Sequence, residues 1–127
     1  MQRSVRVMMV SGALFLLMTG MATAAPICAT GMVGPGLESC LGPISANSSM
    51  KAMGSGDLRN LRFRVYWVNS LGVQTLLYDA TSLSFTAVWD DGTSPNLFPG
   101  QFIVCAKRPA SYTNPADYEI CLDPDYL

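Results

Sequence analysis

Histidine is absent from the 127-residue chain, and its absence removes the most common catalytic base. Ser-His-Asp and Cys-His sites both need an imidazole to accept a proton, and catalytic zinc sites commonly use it as a ligand. The chain also lacks a Walker loop and a G-x-G-x-x-G segment, two common phosphate-binding patterns. We therefore predict a protein that is not an enzyme, with no cofactor and no metal.

Charge is also scarce, and no basic excess exists: the chain has 8 Lys and Arg against 9 Asp and Glu, and charged residues make up 13% of it. Proteins that bind nucleic acids usually present a basic patch or stripe. We therefore expect no nucleic-acid partner. A hydrolase that uses two carboxylates distant in sequence is a remote alternative, because nothing in the sequence selects a pair.

The only adjacent carboxylates, Asp90 and Asp91, begin the segment DDGTSPN. Neighbouring residues of a strand point to opposite faces, so these two do not form an acid/base pair there. The segment also lacks the D-x-[DN]-x-[DN]-G spacing of a calcium loop. We predict a turn in which Asp90 accepts a hydrogen bond from the backbone.

The first residues have the pattern of a signal peptide. Arg3 and Arg6 precede an uncharged apolar run at 7–18, and Ala22-Thr23-Ala24 supplies small residues that a signal peptidase accepts. The alternative is an uncleaved membrane anchor, since the uncharged stretch approaches the roughly 20 residues that span a bilayer.

Cleavage after Ala24 would remove residues 1–24 and leave a chain of one domain's length. This predicts a secreted or periplasmic protein whose only membrane contact is the signal segment, if that segment is retained.

Four cysteines follow: Cys28, Cys40, Cys105 and Cys121. An even number in a short exported chain predicts two disulfides. We expect Cys28–Cys40 and Cys105–Cys121, because each pair is local and encloses turn-forming residues. A zinc site built from all four is the alternative, but the close C-x-x-C pairs of structural zinc sites are missing.

Residues 25–57 are rich in Gly, Pro and Ser and show no apolar periodicity. This composition predicts an irregular segment closed by a disulfide, with one helical turn near 49–53. Asn47-Ser48-Ser49 matches the acceptor pattern for N-glycosylation, which matters only in a eukaryotic secretory pathway.

Residues 58–127 are predicted to form an antiparallel β domain that folds as one unit with 25–57. Segment 61–68 alternates cleanly, a turn follows at 70–72, and segment 73–79 returns as a hairpin partner. The predicted inward residues are Leu61, Phe63, Val65 and Trp67, followed by Leu83, Phe85, Ala87 and Trp89.

Segments 101–106 and 118–122 are predicted to make the final hairpin. Several short strands separated by turns favour a small antiparallel β-sandwich or barrel, with an immunoglobulin-like sandwich as one form.

The first candidate binding surface is the outward face of segment 61–68, with Arg62, Arg64 and Tyr66 at a period of two. Arg and Tyr are enriched at protein interfaces. The alternative is a solvated strand face whose arginines have cross-strand partners.

The second candidate is the loop between the last two cysteines, stiffened by Pro109 and Pro115. Tyr112 and Asn114 lie near its middle, and Tyr, Ser and Asn are typical of contact loops. A simple long connection is the alternative.

Together these features predict an exported, non-catalytic binding module of the cell envelope or extracellular space. Its partner would be a protein or a surface glycan, and enzyme inhibitors fall within this class. The alternative is a structural subunit of a surface fibre, pilus or virion. In that case segment 75–78 would form an edge strand that allows oligomers to assemble.

Overall fold

The computed structural model describes residues 25–57, 59–92 and 94–127, so the predicted signal peptide lies outside the described residues. These residues form eight strands: β1 (Ile27–Val33), β2 (Glu38–Ala46), β3 (Ser49–Gly56), β4 (Leu61–Val68), β5 (Gln74–Ser82), β6 (Ser84–Asp90), β7 (Gly100–Lys107) and β8 (Ala116–Pro124). None of the described segments forms a helix with the length and apolar character needed to cross a bilayer.

The strands form two four-stranded antiparallel sheets with the orders β1-β8-β3-β6 and β2-β7-β4-β5. Strand β4 pairs with β5, β3 with β6, β2 with β7 and β1 with β8, so the chain is one long hairpin whose two arms wrap into a sandwich. This confirms the predicted β-sandwich. Its strand order is that of an eight-stranded jelly roll and differs from the immunoglobulin order.

Residues 25–57 hold three strands where the composition predicted an irregular segment, and β3 runs through the predicted helical turn. Strand β3 is central, but its inward positions include the small residues Ala52 and Gly54. A Cβ on Gly54 would lie 2.6 Å from the Phe63 ring and 2.7 Å from the Phe85 ring. The small residues make room for these rings. As a result β3 lacks the alternation of large apolar residues that predicted β4 from the sequence.

The predicted final hairpin is wrong, because β7 and β8 lie in different sheets. Both edges of β7 are taken by β2 and β4, and both edges of β8 by β1 and β3. The segment between β7 and β8 therefore crosses from one sheet to the other.

The predicted disulfide pairing is also wrong: Cys28 bonds to Cys121 and Cys40 to Cys105. Each pair lies directly opposite across two antiparallel strands, with 4.1 Å between the Cα atoms. The structure leaves no cysteine free. The four sulfurs are therefore not available as thiolate ligands for the zinc site considered from the sequence.

The two disulfides lie on the outer faces of the two sheets. Val104 and Ala106 flank Cys105 on β7, point to the opposite face and are fully buried, as are Ile120 and Leu122, which flank Cys121 on β8. The disulfides and the apolar core therefore use opposite faces of the two sheets.

The core fills the space between the sheets and confirms the predicted inward face of β4 at Leu61, Phe63 and Val65. Leu83 is an exception, since it lies in the turn between β5 and β6 and is 48% exposed. The largest fully buried side chains are Phe63, Phe102, Met50, Leu61, Ile120, Leu122, Val65 and Val104. Two disulfides in so small a domain are typical of an oxidising extracellular or periplasmic compartment.

Removing the Cys40–Cys105 bond should lower the free energy of unfolding by about 3 kcal/mol. It joins residues 65 positions apart, but the Cys28–Cys121 bond that remains shortens the effective loop to about 20 residues. We expect the double variant Cys40→Ala/Cys105→Ala to show this loss in guanidinium unfolding. Free thiols at Cys28 and Cys121 in this variant would contradict the long-range pairing, because the variant would then have broken both of the local bonds Cys28–Cys40 and Cys105–Cys121.

Candidate functional site

The outer face of β4 carries the first predicted site, and the arginines on it lie against acidic side chains of the same molecule. Arg62 donates from Nε and Nη2 to the two carboxylate oxygens of Asp79 at 2.8 and 2.7 Å. The hydrogen bond from Arg62 holds the pKa of Asp79 below its ordinary value, against the opposing effect of desolvation. Strand β5 thus provides the cross-strand partner.

Arg64 lies beside this pair and belongs to the same network. Its Nη1 donates to the Tyr66 hydroxyl at 3.3 Å, and the carboxylates of Glu38 and Asp79 lie 4.0 and 3.9 Å from its guanidinium. Its buried Nε makes no hydrogen bond within the described residues. The structure thus brings Arg62, Arg64 and Tyr66 together on one face, as predicted, and engages them with acidic neighbours.

The second predicted site lies at one end of the sandwich, on the loop between β7 and β8. Arg108, at the start of this loop, is only 5% exposed. Its Nε donates to the Asn114 carbonyl at 2.9 Å and its Nη1 to the Asn60 carbonyl at 2.7 Å. Its guanidinium lies over the Tyr112 ring, 4.1 Å from the centroid.

Backbone hydrogen bonds tie the same residue to the loop between β1 and β2. The Arg108 amide donates to the Leu37 carbonyl at 3.1 Å, and the Gly36 amide donates to the Arg108 carbonyl at 2.7 Å. One buried guanidinium and its backbone therefore hold three segments: 34–37, 59–60 and 108–115. We call this part of the molecule the Arg108 end.

The Arg108 end leaves several side chains open to solvent. Tyr112 is 36% exposed although one face of its ring meets Arg108, and Leu37 on the adjoining loop is 63% exposed. The Asn114 side chain is exposed as well, while its carbonyl is bound to Arg108. The structure thus places Tyr112 and Asn114 on a loop with a fixed shape.

Sequence reasoning missed Arg108 and Leu37. Arg108 follows a buried strand directly and precedes Pro109, so its position was visible in the sequence. Which carbonyls its guanidinium would meet was not visible, because Asn60 lies 48 residues away.

The Arg108→Met variant should lose about 2–4 kcal/mol of unfolding free energy, since the buried guanidinium and its charged hydrogen bonds to the Asn60 and Asn114 carbonyls are lost. We expect faster amide hydrogen exchange across 108–115. The control is Arg59→Met, because Arg59 is exposed and, within the described part of the chain, donates only to the Pro115 carbonyl of the same loop. Urea unfolding should show less than about 1 kcal/mol for this control. Equal losses in the two variants would show that burial of Arg108 has no special role.

The opposite end of the sandwich is held by the C-terminal residues. Asp125 Oδ1 accepts hydrogen bonds from the amides of Asn47 and Ser48 at 2.9 and 2.8 Å. The Asp125 amide donates to the Ser49 carbonyl at 2.8 Å, and the Leu127 amide to the Ser49 hydroxyl at 3.3 Å. The turn between β2 and β3 is therefore fixed by a carboxylate from the far end of the chain.

The hydrogen bonds that the Asp125 carboxylate accepts lower its pKa below the ordinary value of 3.8, and the bond from the Ser48 amide has the largest effect. A carboxyl with a lowered pKa in the folded state stabilises the fold above its unfolded pKa, and that stability is lost as the pH falls through the folded pKa.

We therefore expect the wild-type protein to lose stability below about pH 4 more steeply than Asp125→Asn, which should be less stable at neutral pH. Urea unfolding between about pH 2 and pH 7 measures both effects. Asp91→Asn, at an exposed turn position, is the control and should keep the wild-type pH dependence. A parallel pH dependence in wild type and Asp125→Asn would exclude Asp125 as the titrating group.

The turn prediction for Asp90 is confirmed, since its Oδ1 accepts a hydrogen bond from the Gly92 amide at 2.8 Å. Two groups of potential metal ligands occur in the described part of the chain, Glu119 with Cys28–Cys121 and Glu38 with Cys40–Cys105. Their sulfurs are already bonded to each other, so neither group offers thiolates to a metal.

No family model matches this chain, and the comparison with curated proteins finds no match either. The class of protein is therefore defined by fold and surface alone: a small jelly-roll domain with two cross-strand disulfides and loops fixed at both ends.

Proposed function

We propose that this protein is an exported, non-catalytic binding module that recognises a protein partner through its Arg108 end. Export rests on the signal-peptide pattern of residues 1–24, with cleavage after Ala24, and agrees with the two disulfides. Enzyme inhibition is one form that this activity would take.

The observation that carries the proposal is the set of contacts by which Arg108 fixes loop 108–115. A flexible loop loses conformational entropy when it binds, and a loop that already has its bound shape loses less. Arg108 fixes this loop through the Asn114 carbonyl and the Tyr112 ring, and it ties the loop to the Asn60 carbonyl. Its backbone holds the neighbouring loop at 34–37. Binding loops are commonly presented in this way on a rigid β scaffold.

The exposed side chains at this end favour a protein as the partner. Tyr112 offers a large rigid ring, Leu37 an apolar contact and Asn114 a free amide for hydrogen bonds. A central aromatic anchor with polar neighbours is the usual composition of a binding hot spot. The outer face of β4 is a weaker choice, since Arg62 already uses two donors on Asp79.

Affinity capture from the native envelope or culture medium, followed by binding measurements with the captured partner, tests this proposal. The double variant Tyr112→Ala/Asn114→Ala should weaken binding by about tenfold or more, which corresponds to roughly 1.4 kcal/mol. The matched control is Leu71→Ala/Gln74→Ala, two exposed residues at the opposite end. Affinity of the Tyr112/Asn114 variant within error of wild type, with its fold intact, would rule out this surface.

A structural subunit is the second candidate function, and the position of β5 favours it. This strand is an edge of its sheet, as predicted for segment 75–78, and Leu76 on it is exposed. The adjoining turn also exposes Leu71 and Val73. An exposed edge strand with apolar side chains can pair with another chain.

Sedimentation of the mature chain separates the two functions. A subunit should form polymers as its concentration rises, and Leu76→Lys should abolish them. A monomer at all concentrations would exclude self-assembly through β5.

A further inference from the structure

An open cleft of about 480 Å³ lies at the end of the sandwich opposite the Arg108 end. It is bounded by the ends of β2, β4 and β7 and by the turn that follows β4. No residue that lines it carries a charge. The polar side chains in its wall are Ser45, Asn47, Asn69, Ser70 and Gln101, and its aromatic residue is Trp67. Its volume lies within the usual range for small-ligand sites.

Trp67 is held in a fixed position at this cleft. Its indole Nε1 donates to the Leu97 carbonyl at 2.8 Å. Gly100 lies against the indole, and a Cβ at that position would collide with Nε1 and with the Leu97 carbonyl. The missing side chain thus lets the ring reach its hydrogen-bond partner, and the half-buried ring forms a rigid apolar element of the wall.

The amides and hydroxyls around this ring retain hydrogen-bonding capacity. Asn69 Oδ1 accepts from the amides of Leu71 and Val73 at 2.9 and 3.0 Å, which fixes the side chain and leaves its NH₂ group as a donor. The side chains of Asn47 and Ser70 make no hydrogen bond within the described residues.

Gln101 and Ser45 contribute a weaker, adjustable pair. The Gln101 Nε2 lies 3.5 Å from the Ser45 hydroxyl, at the limit of a hydrogen bond. Both groups can therefore turn towards a ligand at little cost.

From this wall we infer that the cleft binds a neutral saccharide unit of a glycan. A sugar ring presents hydroxyls that both donate and accept, together with an apolar C–H face, which matches amides and hydroxyls around an aromatic ring. The wall offers no cation to pair with an anionic ligand. An apolar ligand would leave the side-chain amides of the cleft without hydrogen-bond partners. The site lies apart from the Arg108 end and is independent of the proposed protein contact.

Fluorescence of Trp67 offers a direct test. The chain has two tryptophans, so Trp89→Phe leaves Trp67 as the only tryptophan, and its emission is excited selectively over that of the tyrosines at long wavelength. The probes are maltotriose, cellotriose, mannotriose and the N-acetylglucosamine trisaccharide, with glucuronic acid and glucose 6-phosphate as charged comparisons. At least one neutral probe should give a saturable change in emission, with a dissociation constant of about 1 mM or below.

Side-chain amide resonances provide a second readout for binding that leaves the indole emission unchanged. The Asn47, Asn69 and Gln101 amides should shift in two-dimensional NMR spectra on addition of the same neutral probe. The double variant Asn47→Ala/Ser70→Ala removes polar groups without a structural hydrogen bond and should weaken binding by about fivefold or more. Gln74→Ala, outside the cleft, is the control and should bind as wild type.

The inference is overturned if no neutral probe binds up to about 50 mM in either readout. Tighter binding of a charged comparison, or unchanged affinity in Asn47→Ala/Ser70→Ala, would overturn it as well. The Tyr112→Ala/Asn114→Ala variant should bind the saccharide like wild type, so failure of this site and failure of the Arg108 end are distinguishable.

Discussion

Pairing between strands from the two ends of the chain is the constraint on which the rest of the structure depends. Strand β1 must pair with β8 and β2 with β7 before either sheet has its full width. Bringing such distant segments together costs chain entropy. The disulfides Cys28–Cys121 and Cys40–Cys105 offset that cost at the two outermost pairs of the folded hairpin, because they keep the arms together in the unfolded chain as well.

This disulfide-linked sandwich positions the loops at its two ends independently of each other. At one end, the buried guanidinium of Arg108 holds the loops and displays Tyr112. At the other, Asp125 fixes the turn at Asn47 and Ser48, and an uncharged cleft lies beside it. The outer faces carry disulfides and cross-strand ion pairs. The ends therefore combine fixed backbone with exposed side chains, which is what recognition requires.

The sequence predicts elements that carry large alternating side chains and misses those that do not. Leu61, Phe63 and Val65 revealed β4, whereas β3 turns Ala52 and Gly54 towards the core and resembled an irregular segment. The hairpin of β4 and β5 was predictable from its short turn. The pairing of β7 and β8 was expected from their closeness in sequence, but each strand has two distant partners that fill its edges. Strand order of this kind depends on contacts that no local pattern contains.

Peptide mapping of the unreduced protein tests the long-hairpin architecture most directly. Trypsin leaves Cys28 and Cys40 on one peptide and places Cys105 and Cys121 on two others. The architecture predicts one disulfide-linked species of all three peptides, and further cleavage after Glu38 should join Cys28 to Cys121 and Cys40 to Cys105. A peptide with an internal Cys28–Cys40 bond, separate from a linked Cys105–Cys121 pair, would contradict it.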